Sequence, residues 1–198
     1  MSEKMILGRG GKAALRRLGV SHPEELRDRI SEFMQPPHET LKPIVPADMN
    51  ISFKVRPREG KPVVVEFASS STDSLHRFNA HQAINTALKA AGLAHRVVRP
   101  LAASKGFNGV FVVEAAPEDY VHGPLAARNP DVMVALDAEM ANIARAVKEH
   151  AGKHFKDLDA GHQGSREDPK YYSNVFVHPD FPRVNKLVLI DQGHAPGK

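Results

Sequence analysis

The sequence predicts an α+β protein, in which short apolar strands and long amphipathic helices follow one another along the chain. Residues 51–55 alternate in polarity and residues 62–67 form a β-branched run, a pattern typical of a hairpin. Apolar residues between positions 130 and 150 recur at helical spacing, which predicts a long helix with one buried face. Strand pairs and helices of this kind, not arranged as regular βαβ repeats, favour the α+β class.

Length and composition are those of an ordinary globular protein. The chain has 198 residues, a net charge of +4 and no cysteine, which excludes disulfides, thiolate metal ligands and cysteine nucleophiles. No apolar run has the length of a membrane span, and the first residues lack the apolar core of a signal peptide. Basic residues are not interleaved with aromatic ones, which disfavours nucleic acid as a partner. We expect a protein of the cytoplasm of the producing cell.

The first segment, residues 1–47, is predicted to be an arm with one helix and a proline-rich linker. Ser21 and Glu24 have the spacing of a capping box, and Pro23 falls in the first helical turn. The prolines at 36–46 indicate an extended stretch after this helix.

The middle segment, residues 48–116, is predicted to be rich in strands. After the hairpin, Ser71 or Thr72 would cap a helix that ends at Gly92. Strands are expected around residues 96–99 and 110–113.

The last segment, residues 117–198, is predicted to hold the long helix, which begins at Asn129-Pro130, and a final strand hairpin. Asn174 opens one of these two strands, and Asp191 closes the other within an Asp-x-Gly sequence. This arrangement can place an amide oxygen and a carboxylate side by side at the mouth of the hairpin. Both are hard oxygen ligands, which suit a magnesium ion that carries a nucleotide phosphate.

The order of elements over roughly residues 50–193 resembles that of the protein-kinase and antibiotic-kinase fold. Asn174 and Asp191 resemble the catalytic-loop Asn and the Asp of the Asp-Phe-Gly motif, with Gln192 in place of Phe. Residues 110–117 look like the fifth strand running into the hinge. The resemblance implies a two-lobe kinase-like fold with a truncated C-lobe, similar to the small kinases that bacteria inject into host cells.

The resemblance also implies an activity, a phosphotransferase that uses ATP and Mg²⁺ and acts on a host or bacterial protein, with delivery through a specialised secretion system. Asn174 and Asp191 would hold the metal. The catalytic base would be Asp157, within a segment similar to the His-Arg-Asp-Leu motif, or Asp168, whose separation from Asn174 is one residue too long. The two acids stay as alternatives.

The nucleotide-binding half of the resemblance departs from the pattern. Glu66 occupies the strand position where a lysine belongs, and Gln82 or Asn85 falls where its helix partner would be a glutamate. The expected nucleotide-binding residues are those of a glycine-rich loop, a substitute cation and the hinge: Gly8, Gly10, Gly11, Lys54, Glu114 and Ala116.

Two other functions stay open. Glu66 makes a catalytically dead pseudokinase or a partner-binding module the first alternative. The second is a hydrolase with a divalent metal, because His150 and His154 are four residues apart. Its remaining ligands would come from the acidic and histidine-containing segment that follows: Asp157, Asp159 or His162.

Overall fold

The computed structural model describes residues 5–41, 51–68, 73–104, 108–151 and 169–190. Within these residues the protein is α+β, as predicted, with two sheets and five α-helices. The chain divides into two compact units, apart from its last two residues. Met1–Asn79 and Arg99–Ala115 form unit 1, and Ala80–Val98 and Ala116–Pro196 form unit 2.

The elements are named in chain order. The described strands are β1 (Ile6–Leu7), β2 (Glu39–Thr40), β3 (Ile51–Val55), β4 (Val63–Phe67), β5 (Arg96–Val97), β6 (Pro100–Ala103), β7 (Val110–Glu114), β8 (Val121–His122), β9 (Val175–Val177) and β10 (Leu187–Leu189). The described α-helices are α1 (Gly11–Arg17), α2 (Ile30–Phe33), α3 (Ser74–Ala90), α4 (Gly123–Ala126) and α5 (Pro130–His150), with 3₁₀ helices at Pro23–Arg29 and Pro169–Tyr172. None of the described helices is both long and apolar enough to cross a membrane.

Six of the described strands form the antiparallel sheet of unit 1, in the order β1-β6-β7-β4-β3-β2. Phe53, Val65 and Val112 are paired across three neighbouring strands and are completely buried. Side chains of the N-terminal helices, including Leu26 and Phe33, belong to the same apolar cluster. The helical segments between Gly11 and Phe33 therefore cover one face of this sheet, because alternate strand residues present an apolar surface there.

The opposite face of the sheet carries two polar residues and a phenylalanine in the next register position. Ser52, Glu66 and Phe111 are paired across β3, β4 and β7, one residue out of step with the apolar row. All three are buried. A buried carboxylate on a sheet face needs a partner, and it finds one on α3, as described below.

Four of the described strands form the sheet of unit 2, in the order β5-β10-β9-β8. Strand β5 is parallel to β10, and the other pairs are antiparallel. Helix α5 buries Leu136, Ile143 and Val147, as its periodicity predicts. Its start is also as predicted, because the side chain of Asn129 accepts a hydrogen bond from the Asp131 backbone N–H at 3.0 Å.

The first helical segment differs from the prediction in its cap and its type. The backbone N–H groups of His22 and Ser21 donate to the carboxylate of Glu25, at 2.9 and 3.3 Å, so the capping acid is Glu25 and not Glu24. The segment that follows is a 3₁₀ helix over Pro23–Arg29, with only one α-turn at Ile30–Phe33. The expected caps of α3 at residues 71 and 72 lie outside the described residues, and Asp73 accepts from the Leu75 N–H at 2.9 Å.

Candidate functional site

Strands β9 and β10 form the predicted hairpin, and Asn174 lies at the end where β10 finishes. Leu189 is paired with Val175, and the ladder continues for one more residue, because the Ile190 N–H donates to the Asn174 carbonyl at 2.9 Å. Asp191 follows Ile190 directly in the sequence. The hairpin mouth is therefore formed as predicted up to Ile190, while Asp191 itself lies outside the described residues.

The side chain of Asn174 is buried without a matching acceptor. The residue is 6% exposed, and its Nδ2 has no hydrogen-bond partner among the described residues. A buried amide in this state costs about 1–3 kcal/mol, so the position favours a ligand or a further side chain that satisfies it. Rotation of the amide by half a turn exchanges Nδ2 and Oδ1 and presents an oxygen instead. An amide oxygen in this position is a hard ligand of the kind that Mg²⁺ accepts.

The turn before Asn174 is held by a histidine that the sequence analysis did not single out. His122, on β8, donates from Nε2 to the carbonyl of Ser173 at 2.7 Å. Its ring also packs on Phe176, with centroids 4.9 Å apart and planes tilted by 31°. Because His122 and Phe176 are paired across β8 and β9, this contact fixes the strand that leads out of the Asn174 turn.

The start of β10 is held by a second histidine. His95 contacts Glu139 through Nε2, at 2.9 Å, and its Nδ1 accepts the Leu187 backbone N–H at 3.2 Å. Burial raises the pKa of Glu139, but hydrogen bonds from His95, Asn185 and Asn142 outweigh it and hold that pKa below the ordinary value of 4.5. Glu139 is therefore a charged hydrogen-bond acceptor at neutral pH.

Glu139→Gln is expected to lower the free energy of unfolding at pH 7 by about 1–2 kcal/mol, because the charged acceptor is lost. The folded-state pKa of Glu139 is depressed, so its stabilisation is present above the unfolded-state pKa and is lost as the pH falls through the folded-state value. The difference between wild type and Glu139→Gln should therefore shrink below about pH 4.5. Urea unfolding from pH 7 to pH 3 measures it. Glu149→Gln, on the exposed end of α5, is the control, and a difference that grows on acidification contradicts the prediction.

Two glycines of the expected phosphate loop, Gly8 and Gly11, lie against the backbone of β6, whereas the position of a Cβ on Gly10 meets only the Arg99 side chain, at 4.0 Å. The Gly8 N–H donates to the Leu101 carbonyl at 2.9 Å. A Cβ on Gly8 would be 2.3 Å from the carbonyl oxygen of Pro100, and one on Gly11 would be 1.9 Å from that of Leu101. Close packing of β1 and α1 on β6 therefore requires both glycines, whether or not a phosphate also binds.

Lys54 and the glycine segment are not brought together. Lys54 lies on β3 and Gly8–Gly11 adjoins β6, which is three strands away, or about 14 Å at the usual strand spacing. The Nζ of Lys54 is 3.8 Å from the carboxylate of Glu39, which also accepts from Arg56 at 2.9 Å. The expected loop and the expected substitute cation therefore do not form one cluster.

Glu66 is paired with a residue that the prediction did not name. Its carboxylate forms an ion pair with the guanidinium of Arg77, on the first part of α3, and accepts from the Ser52 hydroxyl at 3.4 Å. The Arg77 guanidinium lies over the ring of Phe111, 5.3 Å from its centroid. The side chains of Glu66 and Arg77 are only 6% and 2% exposed. The ion pair therefore joins β4 to α3, with the acid on the strand and the cation on the helix.

The predicted helix partners of Glu66 have other roles. Gln82 is exposed, and Asn85 uses its amide on the backbone N–H and carbonyl of Val97, both at 3.0 Å. A sequence signal for Arg77 did exist. Arg77 shares the helical spacing of Ile84 and Leu88 and therefore falls on the buried stripe of α3.

The expected hinge residues are partly engaged within unit 1. The backbone N–H of Glu114 donates to the Arg99 carbonyl at 3.0 Å, and that of Ala115 donates to the Pro62 carbonyl at 3.2 Å. The side chains of Glu114 and Arg99 form an ion pair. Ala116 is half-buried. These hydrogen bonds commit the backbone N–H of Glu114, one of the two expected hinge residues, and that of Ala115, which lies between them in the sequence.

The remaining candidates lie outside the described residues. These are the two alternative bases and the ligands of the alternative metal site other than His150, which is exposed at the end of α5: Asp157, Asp168, His154, Asp159 and His162. In the part of the chain that the structure describes, no group of three His, Cys, Asp or Glu side chains is placed to hold a metal ion. Comparison of the chain with protein-family models and with curated proteins gives no match.

Proposed function

We propose that the protein is a magnesium-dependent phosphotransferase that uses ATP and acts on a host or bacterial protein. The observation that carries this proposal is the side chain of Asn174, which is buried with an unpartnered Nδ2 among the described residues. It stands where the β9–β10 ladder ends, opposite the residue that precedes Asp191. A buried amide and a carboxylate at one hairpin mouth suit a hard cation better than they suit a solvated turn.

The chemistry assigns a separate task to each group of residues. Asn174 and Asp191 would hold Mg²⁺, which supplies charge neutralisation for the phosphate groups of ATP. Asp157 or Asp168 would accept the proton of the acceptor hydroxyl. The hairpin contributes orientation, because its strands and the His122 contact fix the Asn174 turn before any ligand binds.

A second candidate is a nucleotide-binding protein without transfer activity, and the Glu66–Arg77 pair favours it. A phosphate-binding site needs a cation that is accessible to the ligand, whereas Arg77 is buried and neutralised by Glu66. Lys54, the cation expected to substitute for the missing lysine, lies on β3 two residues from Ser52, and its ammonium group faces Glu39. The two candidates share the metal site and differ in whether a phosphoryl group is transferred.

Asn174→Leu and Asp191→Ala are each expected to weaken binding of Mg²⁺-ATP by about tenfold or more, the effect of losing one ligand of the metal. Isothermal titration calorimetry with and without Mg²⁺ measures this. Asn79→Ala, which changes an exposed asparagine, is the control and should bind as the wild type does. Equal affinities in all four proteins, or no binding by the wild type, would remove the proposed metal–nucleotide site.

Transfer is tested separately from binding. Wild type, Asp157→Asn and Asp168→Asn are incubated with Mg²⁺ and γ-labelled ATP, and label on the protein itself and on an added protein acceptor is counted. One of the two variants should lose transfer while it keeps Mg²⁺-ATP affinity within about twofold, as expected of a base. Binding without transfer by the wild type would support the second candidate.

A further inference from the structure

The ring of His95 extends the parallel ladder of β5 and β10 by one position. Strand β5 pairs with β10 through Arg96 and Val97, and the Val98 N–H donates to the Leu189 carbonyl at 2.9 Å. One residue before β5 begins, Nδ1 of His95 accepts the backbone N–H of Leu187 at 3.2 Å. The imidazole thus takes the place of a backbone carbonyl that β5 does not supply.

The hydrogen bonds of His95 define its tautomer. Nδ1 accepts from a backbone N–H, so it carries no proton, and the ring proton lies on Nε2. Nε2–H donates to the carboxylate of Glu139 on α5 at 2.9 Å. Glu139 is the charged group in contact with His95 among the described residues, and the amides of Asn142 and Asn185 bind the same carboxylate. The ring is therefore held at both nitrogens.

The position of Leu187 determines where the rest of β10 lies. The strand has only three residues, and its far end is bonded to the Asn174 turn through Ile190. A shift of β10 by one residue would turn each of its side chains to the other face of the sheet. Asp191 follows directly in the sequence, so the same shift would also move the backbone that leads into it away from Asn174.

We propose that His95 is a positioning residue, whose Glu139-oriented imidazole fixes the register of β10 and, with it, the pairing of Ile190 with Asn174 at the end of the ladder. The register part of this inference stands on the contacts of unit 2 alone. The role of Asp191 rests on the proposed function. His95 would not touch the metal or the nucleotide and would act through the backbone of β10.

The variants separate the hydrogen bonds from the bulk of the ring. His95→Leu removes the acceptor and the donor, whereas His95→Gln keeps an amide oxygen for Leu187 and an amide N–H for Glu139. His81→Leu is the matched control, because His81 is also a fully buried histidine of unit 2 and its Nδ1 lies 2.9 Å from the Val98 carbonyl.

Three readouts test the inference. In wild type, the ¹⁵N shifts of His95 should show a neutral ring with the proton on Nε2. His95→Leu should speed amide hydrogen exchange at Leu187 and Ile190 by about tenfold, the effect of losing one buried hydrogen bond, and weaken Mg²⁺-ATP binding by a similar factor. His95→Gln should recover most of both, and His81→Leu should keep the affinity within about twofold.

The outcomes distinguish this inference from the proposed function. If His95→Leu speeds amide exchange in β10 alone and the wild type does not bind Mg²⁺-ATP, the register role is upheld and the proposed function is excluded. Unchanged exchange at Leu187, or a proton on Nδ1 in wild type, overturns the inference even where Mg²⁺-ATP binds through Asn174. If His95→Leu does not fold, the ring ¹⁵N shifts and His95→Gln decide the question.

Discussion

Arg77→Met is expected to lower the free energy of unfolding by about 3–5 kcal/mol, the cost of leaving a buried charge without its partner. The substitution keeps the apolar length of the side chain and its packing near Phe111, and it removes the cation that faces Glu66. The remaining hydrogen bond to Glu66 comes from Ser52 at 3.4 Å, which is long and uncharged. Chemical denaturation at pH 7 measures the change.

The Arg99–Glu114 pair of the same unit offers a matched control. It joins the same two residue types, but its side chains are 44% and 19% exposed, so Arg99→Met should cost no more than about 1 kcal/mol. The double variant Arg77→Met with Glu66→Gln should recover much of the loss, because no unpaired charge remains. If Arg77→Met and Arg99→Met are equally destabilising, the pair does not have the buried character described here.

This ion pair also bears on function. The kinase pattern places the cation on the strand and the acid on the helix, and here Glu66 is on β4 and Arg77 is on α3. The contact between strand and helix is thus kept while the strand offers a phosphate group no positive charge at this position. This arrangement favours a structural role for the pair, and in the proposed function the charge of the nucleotide would have to be met by other cations and by Mg²⁺.

Local signals predicted the elements that depend on local chemistry. The Asn129 cap, Pro130 and a helical apolar pattern specify α5 without reference to any other segment. The alternation in β3 and the β-branched residues of β4 are equally local, and both strands were predicted. The end of α3 at Gly92 has the same basis, because a left-handed residue there, φ 68°, allows the Leu93 N–H to bond the Leu88 carbonyl.

Elements that depend on distant partners were missed. Residues 100–103 read Pro-Leu-Ala-Ala, which has little intrinsic preference for a strand, and they form β6 because β1 and β7 pair with them on either side. Arg77 was overlooked because arginine is usually exposed, and its burial follows from the position of Glu66 on a strand distant in sequence. A single sequence does not reveal such pairings.

The candidate site was predicted in part for the same reason. Antiparallel pairing predicts that Asn174 and Asp191 approach each other at one end of the hairpin; the ladder is present up to Ile190, and the position of Asp191 stays a prediction. His95 and His122 had no local pattern to mark them, because their partners are backbone groups of strands far along the chain. The role of the glycine segment was ambiguous for a different reason, because glycines occur both where backbones pack closely and where a loop binds phosphate.

Gly11→Ala is expected to lower the free energy of unfolding by about 3 kcal/mol, toward the upper end of the cost of overpacking. The added Cβ would stand 1.9 Å from the Leu101 carbonyl oxygen, and this neighbour is backbone of a central part of the sheet, which cannot rotate away. Thermal and urea unfolding measure the loss. Gly92→Ala is the control: its φ is 68° and no atom lies within 4 Å of the added Cβ, so only the backbone cost of about 1 kcal/mol remains.

The same variant separates the two roles of the glycine segment. If Gly8–Gly11 serves packing, folded Gly11→Ala should bind Mg²⁺-ATP with wild-type affinity at a temperature well below its unfolding midpoint. If the segment instead cradles phosphate, the affinity for Mg²⁺-ATP should fall with little change in stability, because the added Cβ would then collide with the ligand and not with the backbone of β6. The contact with Leu101 favours the first result, since a glycine that already touches a carbonyl oxygen is fixed by the fold. With that result, a cation from another element would have to pair with the phosphate groups of the proposed nucleotide.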